Sequence, residues 1–138
     1  MVVEHNVATM VMLSDSDGGS WQYWPSDEMT GDRTLNFGYM TVTLVSRESR
    51  VSYVKREFKV ANTKVQRKII QNFGYHILFI KAHEELNLTH FSYNEWPGTS
   101  EDTGLVPSST HGLLGLVEHA LAHQEEASLT GPIAVHCR

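Results

Sequence analysis

Between Met40 and Val60 the chain carries two period-two stretches in immediate succession. Met40-Thr41-Val42-Thr43-Leu44-Val45 alternates and is rich in β-branched residues. Such residues suit a pleated surface and lose freedom in a helix. The second stretch runs from Val51 to Val60. It sets Val51, Tyr53, Lys55, Glu57 and Lys59 on one side and Ser52, Val54, Arg56, Phe58 and Val60 on the other. Two strands joined by a short polar connection favour an antiparallel pair. Gly38 and the charged run Arg47-Glu48-Ser49-Arg50 are expected to mark the turns around them.

Other segments fill in the layout. Ala8 to Leu13 is a short apolar run that ends in Ser14-Asp15-Ser16-Asp17-Gly18-Gly19, as a buried strand running into a loop would. Leu88 to Tyr93 is another strand. Ser108-Ser109-Thr110 offers N-caps. Leu113, Leu114, Leu116, Val117, Ala120 and Leu121 then recur at helical spacing, predicting an amphipathic helix of three to four turns with those residues on its apolar face. Gly131-Pro132 stops it, and Ile133-Ala134-Val135 reads as a buried strand leading into His136-Cys137. The expected class is α/β (α+β), with a site where a strand ends. At 138 residues, 41% of them hydrophobic and 20% charged, the chain fits one globular domain or part of a larger one.

Charge and composition narrow the partners. Eleven basic and sixteen acidic residues give 11 − 16 = −5. That offers no electrostatic footprint for nucleic acid or anionic lipid, so neither nucleic-acid binding nor direct membrane contact is expected. No apolar run approaches the roughly 18–20 residues of a membrane span, and residues 1–5 do not resemble a secretory signal. One cysteine, Cys137, permits no intrachain disulfide and fits a reducing compartment such as the cytoplasm.

Few side chains suggest chemistry. A strand delivering His136-Cys137 to a loop suits a nucleophilic thiolate, although a small buried cysteine is the commoner use. His119 and His123 lie four apart on the helix and could share a metal. They sit off the Leu/Val face beside Glu118, Gln124, Glu125 and Glu126, so a solvated face is expected and no metal site is assigned. His90 is expected to be a packed core histidine. Trp24-Pro25 and Trp96-Pro97 look like anchors where loops begin, and Trp21 completes no stacking platform without basic neighbours. Gly18-Gly19 is a turn signal only.

Taken in order, these pieces resemble the protein tyrosine phosphatase domain. Glu4 to Leu13 is similar to the family's first strand and its lead-in. Gln22-Tyr23-Trp24-Pro25 resembles Q-Y-W-P, Tyr53 to Val60 a Y-V-I-R-E-F-K-V strand, and His90 to Pro97 H-F-x-Y-x-x-W-P. Val106-Pro107-Ser108 and Gly131 to Cys137 resemble V-P-x and G-P-I-x-V-H-C. The resemblance implies an incomplete phosphatase fold over residues 1–138, a central mixed twisted sheet flanked by helices. It implies Cys137 as the nucleophile position, a Trp-Pro loop that supplies a general acid, and a phosphate loop after the cysteine. No cofactor is implied.

Departures from the pattern modify these expectations. Gly98 stands after Trp96-Pro97 where the family carries aspartate, and Asp102 is a weak substitute. Arg138 occupies the first loop position, usually Ser in active members, and is adjacent to Cys137, so it is not the family's phosphate-gripping arginine. By the resemblance the phosphate loop, its arginine and the following helices are absent from residues 1–138, so a truncated and marginally folded domain is expected. Gly19-Ser20-Trp21 replaces the usual Lys-Cys lead-in. Residues 65–84 look like an insertion, either a surface element or translated non-coding sequence. The pattern is most like second domains of receptor-type phosphatases. The expected partners are a phosphotyrosine protein or a receptor phosphatase catalytic domain, and impaired hydrolysis is expected.

Overall fold

In a computed structural model, residues 2–13, 22–28, 30–71, 75–81, 84–96, 107 and 110–137 are described, with only the backbone described for 65–71 and 75–81. The elements run β1 (Thr9–Met12), β2 (Thr34–Phe37), β3 (Met40–Ser49), β4 (Tyr53–Asn62), β5 (Val65–Gln71), β6 (Tyr75–Lys81), β7 (Glu84–Tyr93), α1 (Thr110–Glu126) and β8 (Ile133–His136). Six strands form one mixed sheet in the order β2-β3-β4-β7-β1-β8. β5 and β6 pair antiparallel as a separate two-stranded sheet. The class is α+β, a mixed six-stranded sheet with one helix among the described residues.

The two alternating stretches do pair antiparallel, in register from Met40↔Asn62 to Ser49↔Val54 with an irregularity between Leu44 and Ser46. The expected break at Arg47–Arg50 is displaced. β3 continues through Ser49, and the turn closes where the Arg50 N–H donates to the Tyr53 carbonyl at 2.9 Å. Charged residues are tolerated there because Arg47 and Glu48 sit exposed and ion-paired, with Asp27 and Arg50. Gly38 does mark a turn. With φ 65° it follows Phe37 and precedes Tyr39 in a two-residue hairpin loop, the geometry that wants glycine at its first central position. The sequence reading did not place β2 on the near side of that turn.

β1 lies between β7 and β8 and runs parallel to both. All four of its residues are buried, as a central strand covered on both faces requires. Alternation then divides the core in two. Met10, Met12, Phe58, Val60 and Leu88 face Trp24 and the N-terminal segment. Val11, Tyr53, Phe91 and Tyr93 face Leu116 and Ala120 of α1.

The helix presents a different stripe from the one expected. Over its 17 residues only Leu116 and Ala120 are fully buried, with Leu113 partly covered. Leu114, Val117 and Leu121 are 59%, 44% and 51% exposed. His123, expected on the solvated face, instead turns toward the sheet. Both apolar triplets share the 3–4 spacing, so periodicity could not choose between them. β8 also differs from the buried strand expected: it is a half-buried edge strand with Val135 61% exposed. The segment 65–84 leaves and rejoins the main sheet at one rung, since Asn62 and Glu84 are register partners and Glu84 already belongs to β7.

Candidate functional site

β1, β7 and β8 are parallel, so their carboxyl ends open on the same border of the sheet. In sheets of this kind, ligands bind outside those ends. Cys137 follows β8 directly, and its thiol is exposed. Trp96 lies three residues beyond Tyr93 at the end of β7 and packs edge-on against the Tyr93 ring at 6.5 Å. One strand, β1, separates β7 from β8, so the two segments leave the sheet about 10 Å apart. The fold thus brings the Cys137 and Trp96 segments to one border. Pro97, Gly98, Asp102 and Arg138 lie outside the described residues, as does Trp21.

Behind Cys137 the chain builds a short polar relay. His136 Nδ1 lies 3.0 Å from the Cys137 carbonyl oxygen, which can only accept, so Nδ1 carries the ring proton. Nε2 of the neutral ring is then an acceptor, and the Tyr23 hydroxyl, 2.7 Å away, donates to it. With its one hydrogen used, the Tyr23 oxygen can accept a longer contact from His90 Nε2 at 3.4 Å, while Met10 Sδ lies 3.1 Å from the same hydroxyl. His90 pairs with Met10 in the β1–β7 register, and Met12 pairs with His136, so three adjacent strands set this alignment. Tyr23 belongs to the segment that carries Trp24 and Pro25. Both are deeply buried, which anchors the hydroxyl.

Burial favours the neutral form of two members of the relay, His90 and Tyr23. His90 is fully buried, and its imidazole is pushed down to about 3 by burial first, then by the charges of Arg56 and His136. Burial pushes the Tyr23 phenol well above its ordinary value, so it stays protonated. Arg56 is itself buried and is the strand partner of His90. Its Nε and Nη2 donate to the two oxygens of Asp27 at 3.0 and 2.7 Å, and its guanidinium sits 5.7 Å from the Trp24 ring centre. Burial works to raise the Asp27 carboxyl, but hydrogen bonds and charge from Arg56 and Arg47 outweigh it and hold the group below the ordinary range.

The sequence reading treated Tyr23 as part of a motif and missed its contact with His136. It expected His90 in the core, where it lies. Arg56 was assigned to a strand face, with nothing to indicate that Asp27 would neutralise it. His119 and His123 do not converge. His119 Nδ1 bonds the Gly115 carbonyl at 2.7 Å, while the His123 ring lies between two threonines of the sheet. Among the described residues no group of three metal-ligating side chains gathers, and no helix is long and apolar enough to cross a membrane.

Comparison with known proteins gives the same direction. A family model described as protein-tyrosine phosphatase matches residues 1–138. Tyrosine-protein phosphatase 69D of Drosophila melanogaster is 32% identical over 99% of this chain and 8% of its own length. A receptor-type tyrosine-protein phosphatase of Caenorhabditis elegans is 34% identical over 100% of the chain and 9% of its own length. Human receptor-type tyrosine-protein phosphatase alpha is 26% identical over 99% of the chain and 14% of its own length. The chain therefore spans a small part of each of these relatives.

Proposed function

The chain belongs to the protein-tyrosine phosphatase family, and from that premise we propose that it is a phosphatase domain in which Cys137 holds the nucleophile position but turnover is impaired. The observation that carries the impairment is Gly98, which follows Trp96-Pro97 where the family carries its aspartate. Glycine has no proton to give to a departing tyrosine oxygen. Losing a general acid costs about 10²–10⁴ in rate. What supports the nucleophile assignment is the exposed Cys137 thiol at the end of a parallel strand, with His136 held from behind by Tyr23. We place the domain inside a cell, in keeping with its lone cysteine.

The test is hydrolysis of p-nitrophenyl phosphate by this chain beside a Cys137→Ser control. The expected result is little or no difference between them, and Cys137-dependent turnover as fast as that of a phosphatase carrying the aspartate overturns the proposal.

A second reading is favoured by Arg138, which stands where active members usually carry serine. In it the domain is a pseudophosphatase that docks on the catalytic domain of a receptor phosphatase or on a phosphotyrosine protein. Pull-down with a receptor phosphatase catalytic domain tests it, and failure of a folded sample to bind counts against it.

A further inference from the structure

The last turn of α1 carries two consecutive polar residues, His123 and Gln124, whose side chains reach the sheet and the loop before β8. Their hydrogen bonds can be assigned from one end. Gln124 Nε2 lies 2.6 Å from the Gly131 carbonyl and 3.2 Å from that of Leu129. Carbonyls only accept, so this end of the amide is the donor. Gln124 Oε1 therefore faces Thr9, whose hydroxyl donates to it at 2.8 Å. That uses the one Thr9 hydroxyl hydrogen, so the contact of Thr9 Oγ1 with His123 Nδ1 at 3.2 Å must be donated by the ring. Nε2 of the neutral ring is left bare and accepts from the Thr89 hydroxyl at 2.9 Å. Thr9 and Thr89 are buried and are register partners on β1 and β7.

These contacts fix more than the helix. Ser128, at φ 49°, turns the chain back after Glu126, and the Leu129 N–H donates to the Gln124 carbonyl. Gln124 then holds the carbonyl of Gly131, two residues before β8 starts. Gly131 itself rests against the Asn6 carbonyl so closely that a Cβ would collide with it. The path into β8, and with it the place of Cys137, is set from the end of α1.

We propose that His123 and Gln124 act together as positioning residues for β8, forming a staple through Thr9 and Thr89 that holds while His123 is neutral and loosens when it takes up a proton. A proton added at Nε2 points at Thr89 Oγ1, which must turn its own hydrogen away with little water to receive it. The groups facing the ring are Lys55 and Glu57 of β4, Thr9 of β1, Thr89 and Phe91 of β7 and Glu126 of α1. Burial opposes the proton first and Lys55 next, while Glu57 and Glu126 favour it. The balance lowers the affinity of the ring for a proton. This role concerns the strand that bears Cys137 and depends on the proposed function only for its consequence.

The test reads no turnover, so it fails or succeeds separately from the phosphatase proposal. Long-range proton–nitrogen spectra of the ¹⁵N-labelled chain at about pH 8, well above the ordinary imidazole value of about 6.5, should show His123 protonated at Nδ1. Hydrogen-exchange protection, corrected for intrinsic rates, is then followed to about pH 5 at the β8 amides and at Leu13, whose N–H donates to the His136 carbonyl. It should fall about fivefold, the equivalent of one neutral hydrogen bond. His123→Asn keeps a donor toward Thr9 without a titrating ring, and its protection should fall clearly less than that of the wild type over that range, since His90 titrates in both. Gln124→Glu, which turns a carboxylate toward two carbonyls, should lower β8 protection even at the higher pH. A ring protonated at Nε2, or an unchanged acid-dependent loss in His123→Asn, overturns the proposal. The tautomer measurement needs no variant to fold.

Discussion

Tyr23 donates its phenolic hydrogen to His136 Nε2 across 2.7 Å, joining two residues 113 positions apart in sequence. The bond ties the Trp24-Pro25 anchor to the last residue of β8, directly behind Cys137. It also leaves His136 no choice of tautomer, since Nδ1 is committed to the Cys137 carbonyl.

Tyr23→Phe removes that one donor and keeps the ring packed on Trp24 at 4.7 Å. Stability should fall by about 1 kcal/mol, the net value of a single hydrogen bond, as read by urea denaturation. Nitrogen shifts of His136 should change in the same variant. Unchanged shifts would show that the hydroxyl does not bind the ring in solution.

Asp27 and Arg56 form a two-pronged ion pair whose cation is buried. Asp27→Asn leaves that guanidinium without its counter-charge and should cost about 3 kcal/mol. Arg56→Met, which removes the buried charge itself, should cost clearly less. Arg47→Ala touches the exposed partner of the same carboxylate and should cost under about 1 kcal/mol. The Asp27 carboxyl is lowered on folding, so its contribution is complete above the ordinary value of about 3.9 and is lost as pH falls through the lower folded value. Equal costs for the three variants would refute the ordering.

His90 gives a second acid dependence. Its folded value of about 3 lies below the ordinary imidazole value of 6.5. The unfolded chain therefore takes up the proton first as pH falls. Stability from a neutral His90 is complete above about pH 6.5 and declines toward the folded value. His90→Gln keeps a donor toward Tyr23 and does not titrate. Between about pH 7 and about pH 4 the wild-type denaturation midpoint should fall more than that of the variant. Asp27 and His123 titrate in both proteins and cancel in the difference. Parallel curves would show that His90 is not held neutral.

Two glycines separate backbone crowding from side-chain crowding. A Cβ on Gly131 runs into the Asn6 backbone carbonyl, which cannot swing aside. Gly131→Ala should cost about 1–3 kcal/mol. A Cβ on Gly112 meets the side chains of Ser52 and Glu95, at 2.5 Å from Ser52 Oγ and 2.6 Å from Glu95 Oε2. Those two oxygens can swing aside, Ser52 Cβ at 2.7 Å needs a small backbone shift, and alanine gains about 1 kcal/mol of helix propensity over glycine. Gly112→Ala should therefore be the milder change in thermal unfolding.

The sequence by itself determined the antiparallel pairing of β3 with β4, the turn at Gly38, the place of His90 in the core, and Cys137 at the carboxyl end of a strand. These are written in period-two alternation, β-branched side chains and turn residues, all of which act over a few positions. The tertiary structure alone decided which apolar stripe α1 buries, because Leu113, Leu116 and Ala120 compete at the same spacing with Leu114, Val117 and Leu121. It also carried the charged residues of Arg47–Ser49 into a strand, turned His123 inward and gave Arg56 its counter-ion. Thr9 and His123 stand 114 residues apart, and Asp27 and Arg56 stand 29 apart. A local pattern carries no record of such partners. Hydrogen bonding and charge pairing between distant segments are fixed only when the sheet brings them within about 3 Å of each other.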